Sequence, residues 1–188
     1  MKIHVGISNR HIHLTKESID ILFGKDYELT KRNNLTQDDQ FACNETVTIK
    51  TNKSFIANVR ILGPVRSYNQ VEISRTDSFK LGINPPVRNS GDLVGSEAIT
   101  IIGPKGEITI NACIIANRHI HISPEKAREL NFLNDDIVKI KINGAKGGIL
   151  DDVHIKIMKD AYLELHLDTD DGNAFLLNQQ DEVELLID

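Results

Sequence analysis

The pentapeptide Asn-Arg-His-Ile-His occurs twice in the chain, at 9–13 and again at 117–121. Four of the seven histidines lie in these two copies. The match extends beyond five residues. Each copy follows a strand-like segment and precedes an aliphatic residue, a Ser or Thr suited to cap a helix, and a short helical run. In the first, Thr15 caps, Glu17 lies in the first turn and Gly24 stops the helix. In the second, Ser123 caps, Pro124 takes the first helical position and Glu125 faces the positive helix end. The copies are 119 − 11 = 108 residues apart, too far for a solenoid period. That spacing suits two related half-molecules, each with a barrel and a capping helix, although identity outside the motif is low.

Most of the remaining chain reads as short strands. Val-, Ile- and Thr-rich segments at 2–7, 45–50, 55–62, 70–74, 98–102, 107–116, 137–142, 153–157, 161–167 and 182–187 are bounded by Gly, Asn, Asp and Pro. Gly103-Pro104-Lys105-Gly106 predicts a hairpin turn. Alternation in VTIKT and VKIKI points to sheets with one wet face. The fold class expected is mainly β, with compact barrels or sandwiches.

The charge balance narrows the partners. A net charge of −5 over 188 residues disfavours a nucleic-acid backbone as ligand, while leaving room for a local basic pocket. No apolar run approaches the ~20 residues of a membrane span, so no membrane partner is expected. The N-terminus enters a strand pattern directly, without the regions of a secretory signal. Two cysteines, Cys43 and Cys113, make neither a disulfide framework nor a Cys-based zinc spacing. A cytoplasmic location follows as the expectation.

In an extended segment, residues i and i+2 share a face. His11 and His13 can therefore aim at one point, and so can His119 and His121. Imidazole suits zinc and other borderline divalent metals. A single HxH is most often a surface accident; its duplication with the same flanking Asn, Arg and cap argues for metal binding. Two histidines do not close a site, so each pair needs a further ligand, water or substrate. His166, in ELHLDTDDGNA, stands out among the other histidines, whereas His4 and His154 read as ordinary strand residues. The acidic run at 168–171 does not fit an EF-hand and is expected to be a solvated turn. Within GPVRSYNQVEISRTD, Arg66 offers a planar fork that matches phosphate oxygens, and Glu72 offers a hard oxygen ligand. The Pro- and Gly-rich segment at 84–96 is assigned a turning role, with Arg88 as a secondary anion-binding candidate.

Five segments in order, SNRHIHLT (8–15), GPVRSYNQVEISRTD (63–77), LGINPPVRNSGDLVGS (81–96), ANRHIHISPEKA (116–127) and ELHLDTDDGNA (164–174), resemble the PduL-type phosphate acyltransferases, also called phosphate propanoyltransferases. The resemblance covers nearly the whole chain. It implies two small β-barrel domains, each capped by short α-helices, with the N-terminal strand crossing into the second barrel. The division expected is 1–9 as that strand, 10–115 as the first barrel and 116–188 as the second. The resemblance also implies two zinc ions per chain in one active site. His11, His13 and Glu72 would hold one ion, and His119, His121 and His166 the other. Arg66 would meet phosphate, and Ser8, Arg60 and Asn173 would contact coenzyme A.

The implied reaction interconverts acyl-CoA plus phosphate with acyl phosphate plus coenzyme A, by direct attack of phosphate on the thioester. The sulfur is expected to leave toward the cation on His11, His13 and Glu72. Neither cysteine is assigned a catalytic role. Family members lodged in bacterial microcompartments often carry an N-terminal extension; here the first strand starts at Met1, which favours the free cytoplasmic form. The assembly expected is a homodimer. Two alternatives stand beside this reading: a metal-dependent hydrolase and a non-catalytic zinc-binding module. Cobalt or iron suits the same ligands, and acyl chains that differ by methylenes are not distinguished by these residues.

Overall fold

The computed structural model describes residues 1–37, 39–159 and 161–187. In chain order the elements are β1 (Lys2–Ser8), β2 (His11–His13), α1 (Lys16–Phe23), β3 (Lys31–Asn34), β4 (Phe41–Lys50), β5 (Phe55–Gly63), β6 (Gln70–Glu72), α2 (Arg75–Leu81), β7 (Val87–Arg88), β8 (Glu97–Ile102), β9 (Glu107–Ala116), β10 (His119–Ile122), α3 (Pro124–Glu129), β11 (Ile137–Ile142), β12 (Gly148–Ile157), β13 (Glu164–Asp168), α4 (Thr169–Phe175) and β14 (Glu182–Leu186). The chain divides into two compact units, residues 10–116 and residues 1–9 with 117–188.

Each unit is a closed barrel of six strands. In the unit of 10–116, β4, β5, β2, β6, β9 and β8 close a ring, with β3 beside β4 and β7 beside β9. Alternating apolar side chains fill its interior, including Ile12, Val47, Ile49, Val59, Ile61, Val71, Ile99 and Ile101. In the other unit the order is β1-β13-β10-β12-β11-β14. Ile3 and Val5 of β1 join Ile120, Ile140, Val153, Leu165 and Leu185 in that core. The N-terminal strand thus completes the barrel built by the C-terminal residues, parallel to β13 and antiparallel to β14. Each buried aliphatic side chain contributes about 1.5–3 kcal/mol, which fixes register, since a slip by one residue would turn each core set outward. At the end of β5, Gly63 lies under the Phe41 ring; a Cβ there would come within 2.3 Å of it. Among the described residues no helix is long and apolar enough to cross a membrane.

Most of the strands anticipated from residue patterns are present. The Gly103 N–H donates to the Gly106 carbonyl at 2.9 Å and closes the β8–β9 hairpin. Helices α1 and α3 start on Thr15 and Ser123, each accepting from the backbone N–H three residues on. Two helices correct the expectation. The acidic run at 168–171 is not a solvated turn: Asp168 caps α4 by accepting from the Asp171 N–H at 2.8 Å. The carboxylates of its first turn face the positive helix end, which favours them there. The stretch after β6 is likewise helical, because Ser74 and Asp77 form a capping box over the first turn of α2. Replacing Ser74 with alanine is expected to cost about 1 kcal/mol in denaturant unfolding. Asp77→Ala is expected to cost more, because it also removes the carboxylate that Arg10 Nε meets at 2.7 Å.

Candidate metal centres and anion site

Ile12 and Ile120 decide where the repeated histidines point. Both are fully buried in their barrel cores, and side chains alternate along a strand. His11 and His13 therefore share the outer face of one barrel, and His119 and His121 that of the other. The third member of each group arrives by antiparallel pairing. His11 lies opposite Glu72 across β2 and β6, and His119 opposite His166 across β10 and β13.

Within each triad, one donor atom per residue lies within 4.8 Å of the other two. Donors around a tetrahedral ion with bonds of about 2.1 Å stand about 3.4 Å apart, and His11 Nε2 is 3.4 Å from Glu72 Oε2. In the other triad, the His119 and His166 rings stack 5.3 Å apart, and His121 is 4.3 Å from His166. Two features of the donors fit a cation. His13 is buried, and its Nδ1 has no hydrogen-bond partner among the described residues. Burial, then the neighbouring His11 and Arg66, lowers its pKa to about 3, so the ring stays neutral and keeps a lone pair to give. His119 Nδ1 is 2.8 Å from the Asn117 carbonyl. A carbonyl only accepts, so Nδ1 carries the proton and Nε2 the lone pair. Two nitrogens with one oxygen, and three nitrogens, are donor sets suited to zinc and similar ions.

Arg66 sits in the turn after β5, anchored where its N–H donates to the Leu14 carbonyl at 2.9 Å. Its Nη1 donates to the Tyr68 hydroxyl at 2.9 Å. It is close enough to His13 to be a cause of the depressed pKa, so the first triad has a guanidinium beside it. Arg60 pairs with His11 across β2 and β5, and its Nη1 donates to the carbonyls of Cys43 and Asn44. Ser8 ends β1 opposite Asp168, and Asn173 is exposed on α4. The fold thus gathers each triad and sets Arg66 at the first. Ser8 and Asn173 belong to the unit that holds the second triad. Arg88 is engaged by its own loop, donating to the carbonyls of Val87 and Val94. Burial raises the Cys43 thiol to about 11 and the Cys113 thiol to about 12, so neither is a thiolate at neutral pH.

Reasoning from residues gave the arginine of the repeat no task. Arg10 pairs with Asp77, and Arg118 grips Asp171 with two bonds of 2.7 and 2.8 Å. Both acids lie five residues after the third triad member: 72 to 77 and 166 to 171. Both helix caps lie two residues after it, Ser74 and Asp168. Each HxH strand is thereby tied to the helix that follows the strand of its third member. The same face carries two further buried polar residues, Gln70 and Glu164.

Residues 4–178 match the family model of phosphate propanoyltransferase. A phosphate propanoyltransferase of Thermotoga maritima is 51% identical over 183 residues, 96% of this chain and 87% of that protein. This chain belongs to the phosphate propanoyltransferase family. The family is one of acyltransferase enzymes. A phosphate propanoyltransferase of Lachnoclostridium phytofermentans is 48% identical over 92% of this chain and 81% of its own length. One of Rhodopseudomonas palustris is 42% identical over 98% and 82%.

Proposed function

We propose that this chain is a phosphate acyltransferase that interconverts a short-chain acyl-CoA and phosphate with acyl phosphate and coenzyme A, using two zinc ions per chain. The observation that carries the proposal is the pairing of Arg66 with a His-His-Glu triad in a member of this family. His11, His13 and Glu72 would hold one ion, and His119, His121 and His166 the other. When bound, such ions supply Lewis-acid stabilisation for charge developing on the carbonyl oxygen and the sulfur.

The chain's own groups do the rest. Arg66 binds phosphate through its planar fork, offsets its charge and directs one oxygen to the carbonyl carbon. An oxygen–carbon bond forms, the carbon–sulfur bond breaks, and the thiolate leaves with the electron pair. No protein nucleophile takes part, in keeping with the raised thiols of Cys43 and Cys113. Ser8, Arg60 and Asn173 are proposed to contact coenzyme A. Two buried free thiols suit a reducing compartment, and the proposal places the enzyme in the cytoplasm.

The test is thiol release from acetyl-CoA and propionyl-CoA, with and without phosphate. Phosphate-dependent release is the expected result, and its partner is thioester formation from acetyl phosphate and coenzyme A. Release that ignores phosphate would make the chain a hydrolase. No release at all would leave a metal-binding module.

A further inference from the structure

The turn between β5 and β6 directs three of its side chains inward. Pro64, Val65 and Ser67 are exposed, whereas Arg66, Tyr68 and Asn69 are half-buried. Two bonds fasten this turn to the residues that leave β2. The Arg66 N–H donates to the Leu14 carbonyl, and Asn69 Oδ1 accepts from the Thr15 N–H, both at 2.9 Å. The backbone that carries Arg66 is therefore fixed beside the first HxH strand. Its side chain needs a separate hold. An arginine is long and rich in rotamers, and a bond at the backbone N–H does not fix its far end.

Tyr68 supplies that hold. Its hydroxyl accepts from Arg66 Nη1 at 2.9 Å. A guanidinium only donates, so the tyrosine oxygen is the acceptor, and the remaining guanidinium N–H groups are left for an anion. Arg66 Cζ stands 5.9 Å from the centre of the Tyr68 ring, at the outer limit of a cation–π contact. The hydrogen bond, more than the ring face, thus sets the direction of the fork. Among the described residues the guanidinium has no other hydrogen-bond partner.

The tyrosine is itself confined. Its hydroxyl end lies against Gly91, where a Cβ would stand 3.6 Å from Oη and 3.9 Å from Cζ. Gly91 has a φ of +98°, a conformation that favours glycine. Its N–H donates to Oε1 of the fully buried Gln70 at 2.8 Å. The Pro- and Gly-rich segment at 84–96 therefore does more than turn the chain: it is tied to β6 where it backs Tyr68.

We infer that Tyr68 is a positioning residue for Arg66, one that holds the guanidinium in its phosphate-binding direction before phosphate arrives. The inference rests on the phosphate acyltransferase reading above. A fork that is already aimed loses less conformational freedom when the anion binds, and it keeps the attacking oxygen in line with the carbonyl carbon.

The test is steady-state thiol release from acetyl-CoA with phosphate as the varied substrate. Tyr68→Phe removes the hydroxyl and keeps the ring. It is expected to lower kcat/KM for phosphate by about 10–100-fold, since misplacing a reacting group by about 1 Å costs about 10²-fold. The KM for acetyl-CoA, the unfolding temperature and the number of bound metal ions are expected to stay at their wild-type values. The double variant Arg66→Ala, Tyr68→Phe is expected to match Arg66→Ala within about twofold, because a residue that acts through Arg66 then has nothing to act on. A Tyr68→Phe chain with wild-type kcat/KM for phosphate would overturn the inference. So would a further loss when Tyr68→Phe is added to Arg66→Ala, which would make the hydroxyl a phosphate contact in its own right. A loss of metal or of thermal stability in step with the rate would overturn it too, by making Tyr68 structural. A wild-type chain without phosphate-dependent release overturns the acyltransferase reading; an active wild-type chain with any of the three contrary results overturns this inference alone.

Discussion

Stripping divalent metal with a chelator is expected to abolish phosphate-dependent thiol release, and zinc is expected to restore it. Lewis-acid stabilisation of a leaving thiolate is worth several kcal/mol. At 1.4 kcal/mol per tenfold, a loss of about 4 kcal/mol is about 10³ in rate. No side chain of either triad is a Lewis acid, so none can replace that contribution. His119→Ala leaves two donors in its triad, and elemental analysis should then show one metal ion per chain rather than two. The HxH strands are held by the Ile12 and Ile120 cores and by the arginine–aspartate ties, so the variant should fold. A metal-free sample that keeps its full rate would end the proposed mechanism.

The two HxH pairs were legible because their members obey a local rule. Alternation along a strand puts both histidines of an HxH on one face, and duplication separates that pattern from accident. A mainly β chain was legible from the succession of short Val- and Ile-rich runs, whose interior positions recur at every second residue; those runs left barrel and sandwich open, and two barrels came as what the family resemblance implies. The third members were harder to find. Glu72 and His166 each reach their histidines through antiparallel pairing between strands far apart in sequence, and no local signal states that register.

The second half of the duplication was missed for a different reason. The HxH copies are 108 residues apart, whereas Glu72 and His166 are 166 − 72 = 94 apart. The connection between the HxH strand and the third-member strand therefore differs by 14 residues between the halves, and no single offset aligns both parts. Aligning QVEISRTD with ELHLDTDD would have exposed the cap and the helix acid in both segments. It would also have corrected the reading of 168–171, where an acid at the cap position starts a helix. Gln70 and Glu164 had no signal of their own in the sequence. A buried glutamine or glutamate looks like any solvated strand residue until the groups that face it are known.

Arg66→Ala should lower phosphate-dependent turnover by about 10²–10³ while leaving two metal ions per chain. The magnitude is that of removing one preorganised electrostatic donor from a reacting anion. Arg66 lies in a turn, and its contacts from the guanidinium are to Tyr68, so its removal opens no cavity in either core. Its backbone tie to Leu14 comes from the N–H and survives any non-proline substitution. The apparent KM for phosphate should rise, because the ground-state anion loses its fork as well. Arg66→Lys keeps the charge but not the two parallel donors, so it should recover part of the rate and little of the positioning. Metal content separates this role from a structural one. If Arg66→Ala instead empties the His11, His13, Glu72 triad, then Arg66 acts by holding that triad together, and the anion must be bound by another group.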